Sequence, residues 1–339
     1  MKEFGSNFHY FKIEGSGDNT IKYYYPDAVY YAAGRHALID LYRQMGWKRL
    51  WVPEYFCYEV LGSMQREGVN LSFYADYPTI DEDCEVSRLP FENGDALLRV
   101  NYYGLRSRRD NHAIDVPVVE DHTHDLIGDW ACHSDADWCI ASLRKTLPLA
   151  EGGMLWSPRG HRLPAEPHES PSNHALAAGM WHAMRLKTLY LEDKIRNKSE
   201  FRQTMVAAEE SMDTLELSAL DQETADYIKT FDVLQWYRRK RENWSALSDI
   251  QSDKFRVLLP ESSDCNPFSL TLLFNEKQER DRYRRALIDQ DVYPAILWEI
   301  PAGKQPLVSD FSLRMLSIHC DARYSKDDIS KLRSIIIGC

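Results

Sequence analysis

The stretch from Asp137 to Trp156 constrains the fold of this chain more than any other. An apolar run, Trp138 to Ala141, reads as a buried strand that ends in Ser142 and a lysine. The chain then crosses a proline-bearing turn and the pair Gly152-Gly153 before a second apolar run, Met154 to Trp156. That layout puts Lys145 just beyond a strand end, in the crevice where open α/β sheets bind ligands. Desolvation there disfavours the ammonium form, and a neutral amine is a nucleophile able to form a Schiff base. Taken alone, Lys145 also reads as an ordinary surface lysine.

A second strand end bears on that choice. Val116 to Val119 is a short β-branched run closing in Glu120, Asp121, His122, Thr123, His124 and Asp125. A carboxylate so placed is the partner that a pyridoxal ring nitrogen needs if the ring is to act as an electron sink. The HxH pair suggests metal ligation, but no third ligand follows in sequence and no metal site is expected. His124 reads as a hydrogen-bond partner for a cofactor ring oxygen, His122 as packing on the ring, and both equally as structural histidines.

Val118-Val119-Glu120-Asp121-His122-Thr123-His124, taken with Ser142 to Gly153, resembles the fold type I pyridoxal-phosphate-dependent aminotransferases, and among them the DegT/DnrJ/EryC1/StrS family. The likeness runs from about Ala32 to Tyr324, with its specific part in the middle. It implies a large domain with a mainly parallel, doubly wound sheet, a small C-terminal α/β domain and pyridoxal 5′-phosphate as cofactor. It also implies that Lys145 carries the cofactor as a Schiff base and moves the Cα proton, while Asp121 faces the pyridine nitrogen. The activity implied is transfer of an amino group from an amino acid donor to a carbonyl acceptor, a keto sugar among the possibilities. A homodimer with its site across the interface goes with this. Other chemistries of the same cofactor (lyase, decarboxylase, carbon–carbon bond formation) and a non-catalytic binding or regulatory member remain open.

The family's phosphate-binding turn, Gly-Thr-Ala or Gly-Thr-Ser, is replaced here by Gly34-Arg35-His36 at the start of a helix, where backbone N–H groups favour anions. Arg35 either substitutes charge for the missing hydroxyl or points to solvent. Tyr55, Phe56 and Tyr58, soon after Pro53, are candidates for the aromatic over the pyridine ring, and Asn101 and Tyr102, at the end of the next strand, are candidates to reach the cofactor or the substrate. Ser142 offers its hydroxyl to the phosphate, closer to the lysine than the family's usual serine. Arg323 reads as a receptor for a substrate carboxylate or as half of an ion pair.

Over the whole chain we expect an N-terminal arm (1–22), a large cofactor-binding domain (23–220), a linking helix (221–250) and a small domain (251–339). Helices are expected over His174 to Glu210 and Glu276 to Gln290, with strands over Phe268 to Phe274 and Val292 to Trp298. The net charge of -11 argues against a nucleic-acid partner. Seven cysteines without CxxC spacing fit a reducing cytoplasm. No apolar leader and no run of ~18 uncharged apolar residues points to a membrane.

Overall fold

The computed structural model describes residues 3–13, 15, 18–80, 82–212 and 214–339. Ser16 and Gly17, in the glycine-rich part of the arm, lie outside the described residues. Among the described residues twelve strands form three sheets. In chain order they are β1 (Phe4–Gly5), β2 (Val29–Tyr31), β3 (Arg49–Pro53), β4 (Leu71–Tyr74), β5 (Asp95–Val100) and β6 (Val118–Asp121). There follow β7 (Trp138–Ser142), β8 (Gly153–Trp156), β9 (Phe255–Val257), β10 (Leu270–Phe274), β11 (Val292–Tyr293) and β12 (Met315–Ile318).

The central sheet has the order β2-β8-β7-β6-β5-β3-β4. From β4 to β7 all pairings are parallel; β8 runs antiparallel to β7, and β2 antiparallel to β8. Parallel strands need crossovers and are covered on both faces, so they read as continuous apolar runs rather than alternating ones. Residues Asp95 to Val100 are all buried, as is β8 throughout. Because β5, β6 and β7 are parallel, their C-terminal ends open on one edge. The candidate residues near 100, 121 and 142 therefore share one crevice.

The expected long helix after His174 is two, Pro171–Leu191 and Ser199–Met212. Between them Asp193 takes φ 61, a left-handed conformation that aspartate tolerates better than most residues. The expected linking helix is likewise two, Gln222–Ile228 and Val233–Ser245, the second restarted by Asp232, whose side chain accepts from the Gln235 N–H. Helical periodicity ran through both breaks because both helices of each pair bury the same apolar stripe.

The last ninety residues carry the antiparallel sheet β12-β10-β9, covered by the helices Lys277–Ile288 and Lys326–Gly338. The strand expected over 292–298 is only two residues long and lies outside that sheet. Pro294 lacks the N–H a ladder needs, and the segment beyond it turns toward the crevice. Its partner is β1, in parallel register with Phe4 against Val292. The arm is thus tied to the opposite end of the chain: the Gly5 N–H donates to the Tyr324 hydroxyl at 2.7 Å, and Phe4 is buried in the core of the small sheet. Among the described residues no helix is long and apolar enough to cross a membrane, and the seven cysteines are unpaired.

Candidate functional site

Lys145 stands on a single helical turn, Leu143–Thr146, inserted between β7 and β8. The turn is fixed at several points. The Leu143 N–H donates to the Gly152 carbonyl at 2.9 Å, the Trp236 indole N–H to the Thr146 carbonyl at 3.1 Å, and the Thr146 hydroxyl to the Thr123 carbonyl at 2.6 Å. The Lys145 side chain stays accessible to solvent within this chain, yet it stands deep in a cleft, crowded by surrounding atoms. Its amine is held down to about 8, first by the charge of the adjacent Arg144 and then by desolvation.

Asp121 closes β6 and faces the same cavity. Strand alternation sends Asp121 and Thr123 to one side, Glu120 and His122 to the other. Thr123 links the two strand ends: its N–H donates to Asp121 Oδ1 at 2.8 Å, and its hydroxyl accepts the Ser142 N–H at 2.9 Å. Burial raises the Asp121 carboxyl above its ordinary value, against the pull of the Thr123 hydrogen bonds. No sequence signal marked Thr123 out, since its partners are tertiary.

The helix Gly34–Met45 begins against this crevice. A Cβ on Gly34 would stand 3.0 Å from Ser142 Cβ and 3.1 Å from its Cα, so glycine is what lets the helix start abut the end of β7. Gly153 does the same from the other side, where a Cβ would fall 2.4 Å from the Ala33 carbonyl carbon. Gly34, Arg35 and Ser142 line one end of the cavity. His36 does not: it turns away to the Leu215 carbonyl, with Nε2 at 3.1 Å, and burial lowers its pKa to about 4.

His124 lines the cavity and is neutral, its pKa lowered to about 3 by burial and then by Lys145. Nδ1 accepts the Tyr103 N–H at 3.1 Å, which leaves the ring proton on Nε2. The ring stacks on Trp298, centroids 5.6 Å apart at 26°. Trp298 and Leu297 reach the crevice from beyond Pro294, and Phe56 meets Trp298 at 5.8 Å. Trp298 is an aromatic wall that the sequence did not reveal, because its segment read as strand. Of the other aromatic candidates, Tyr55 is fully buried outside the cavity, its hydroxyl 2.7 Å from that of Tyr103 and bonded also to the Leu297 carbonyl. Asn101 is buried and off the cavity wall; its N–H supports the Asp121 carbonyl at 3.0 Å.

On the opposite face His122 is fully buried, with Nε2 3.1 Å from Glu120 Oε2. It therefore cannot pack on anything held above Asp121. Glu120, His122 and Cys139 bring ligand-type atoms within 4.8 Å of one another, a grouping invisible in sequence because Cys139 comes from β7. Glu120 there already accepts from the Ser134 hydroxyl at 2.6 Å and the Asn111 amide at 2.8 Å. Arg323 has its guanidinium occupied by both oxygens of buried Asp321, at 2.8 Å each.

The fold that presents these residues, a mainly parallel sheet followed by a small C-terminal sheet, recurs in known structures. A putative sugar aminotransferase from Streptococcus pneumoniae in its PMP form matches with a TM-score of 0.63 at 11% identity, over 98% of this chain and 93% of that one. The aminotransferase TlmJ from Streptoalloteichus hindustanus matches with a TM-score of 0.58 at 14% identity, over 94% and 88%. A DegT DnrJ EryC1 StrS aminotransferase from Brucella abortus matches at 0.57 and 14%, over 92% and 85%. The chain has the fold of the DegT/DnrJ/EryC1/StrS aminotransferases. No family model matches the sequence, and no curated protein matches it. The likeness is one of backbone, and the chemistry has to be argued from the residues that this chain places on the shared DegT-type scaffold.

Proposed function

We propose that the protein is a pyridoxal-phosphate-dependent aminotransferase, transferring an amino group from an amino acid donor to a carbonyl acceptor. The observation that carries the reading is the convergence of Lys145 and Asp121 on one cavity from neighbouring strand ends. The residues present fit the cofactor. Glycine at 34 lets the helix start close on Ser142 at the cavity wall, the helix N-terminus adds backbone N–H groups that favour a phosphate, and Arg35 supplies charge where the family has a hydroxyl. Asp121 is a desolvated carboxylate of the kind a protonated ring nitrogen would pair with. Tyr55, His36 and Asn101 drop out of the cofactor set; Phe56, His124 and Trp298 make its walls.

When bound, pyridoxal phosphate supplies an electron sink for charge developing on the substrate Cα. The work of this chain's own residues follows from their chemistry. Lys145 would hold the cofactor, and its free amine would take the proton from the substrate Cα, for which an amine near 8 is well matched to neutral pH. Asp121, oriented by Thr123, keeps a proton on the ring nitrogen. His124 offers Nε2–H to a ring oxygen, and Trp298 with Phe56 limits access of water. Lys145 remains open in a single chain, which supports a homodimer whose second subunit completes the site. The reading carries a cytoplasmic location with it, and a keto sugar is one acceptor class to try, since sugar aminotransferases share the fold.

The test is to load the purified protein with pyridoxal phosphate, incubate it with a panel of amino acids and separate the released cofactor by chromatography. Pyridoxamine phosphate is expected to accumulate, and to be lost in Lys145→Ala. Turnover of the amino acid with the cofactor recovered only as pyridoxal phosphate would assign a lyase or decarboxylase instead.

A further inference from the structure

An amino acid donor brings a carboxylate, and something in the chain must receive it. Arg323 is committed to Asp321. Arg35 lines only the cofactor cavity, at the Gly34 and Ser142 end. Arg144 differs from both. A second cavity adjoins the first, walled by residues from the N-terminal arm, the helices Pro171–Leu191 and Ser199–Met212, and the segment around Pro294. Lys145 and Arg144 line both cavities, at their shared boundary. The rest of the second wall is largely hydrocarbon: Phe8, Leu149, Met180, Met184 and Pro294. Its other ionisable groups are Glu209, Tyr293 and His319, and burial keeps His319 neutral, near 4.

Among the described residues Arg144 has one hydrogen-bond partner, Glu209, at 2.7 Å. A guanidinium carries five N–H donors in a planar fork suited to a carboxylate, so most of the fork is unspent. The Glu209 side chain is 38% exposed and can return to water when displaced, so giving it up costs little. We propose that Arg144 is the receptor for the α-carboxylate of the amino donor and of the keto acid it becomes, with Glu209 the counter-ion exchanged for it. The inference rests on the aminotransferase reading above, and adds that the donor lies in the second cavity with its side chain against Phe8 and the methionines.

Two stable compounds separate the inference from the reading beneath it. N-(5′-phosphopyridoxyl)-L-alanine and N-(5′-phosphopyridoxyl)ethylamine differ only in the carboxylate, and neither needs to react with Lys145. Calorimetric titration of the cofactor-free protein with each gives a carboxylate preference as a ratio of dissociation constants. Wild type is expected to favour the alanine compound by roughly tenfold or more, the size of a charge-assisted pair. Arg144→Gln should abolish that preference while still binding the ethylamine compound, which also shows that the variant is folded. Arg144→Lys should keep part of it, and Glu209→Gln should enlarge it. Equal binding of the two compounds by wild type, or a preference surviving in Arg144→Gln, overturns the role of Arg144 and leaves the cofactor reading standing. Failure of wild type to bind either compound removes both.

Discussion

At the scale of single residues, the account turns on how Lys145 comes to be a nucleophile. Two causes act together: the Arg144 guanidinium next to it opposes a second positive charge, and crowding by surrounding protein atoms adds to it. Competitive labelling of the cofactor-free protein with acetic anhydride across pH should therefore give Lys145 a midpoint near 8, well below an ordinary lysine. Arg144→Gln should move that midpoint upward. A midpoint at the ordinary lysine value in wild type would contradict the electrostatics. The places of Lys145, Asp121, Ser142 and Gly34 on one cavity were legible in the sequence because each sits at a strand end or helix start, a place that local pattern defines. His36 and Tyr55 were misjudged for the converse reason: each is adjacent to a site residue, and which neighbour faces the cavity depends on side-chain direction. Thr123 and Arg144 went unnoticed because their partners lie on other elements.

At the scale of elements, a buried ion pair lies beneath the N-terminal arm, beside the second cavity that Phe8 lines. Asp321 and Arg323 are both buried and joined by two hydrogen bonds, beneath Phe8 of the arm, whose ring lies 4.3 Å from the guanidinium. Burial alone would raise the Asp321 carboxyl; Arg323 outweighs it and takes it down to about 2. A carboxyl depressed by folding contributes stability that is present above its unfolded value, ~3.9, and is lost as pH falls toward about 2. Urea titrations should show Arg323→Ala destabilised by about 3–5 kcal/mol at neutral pH, since it strands a buried carboxylate. Asp321→Asn should flatten the loss of stability between pH 4 and 2. A near-neutral Arg323→Ala would mean that the pair is solvated in solution. The elements themselves were mostly legible from apolar runs. Breaks near Asp193 and Asp232 were not, because apolar periodicity continues across them, and the β1–β11 pairing was not, because nothing local couples Phe4 to Val292.

At the scale of the whole molecule, an acidic chain of net charge -11 presents Arg35, Arg144 and Lys145 around one crevice. The global charge disfavours an anion, and these three cations offset it locally at the cavity, beside Asp121 and Glu59. β6 and β7 are parallel, and β2, antiparallel to β8 as β7 is, runs in their direction, which gathers positions 34, 121, 142 and 145 on a single edge; the segment past Pro294 then covers it with Trp298. The most direct test of this account is to add pyridoxal phosphate to the purified protein, reduce with borohydride and map the modified peptide by mass spectrometry. A phosphopyridoxyl group on Lys145, absent from Lys145→Ala, is the expected result. Modification at another lysine, or none in the folded protein, would contradict it.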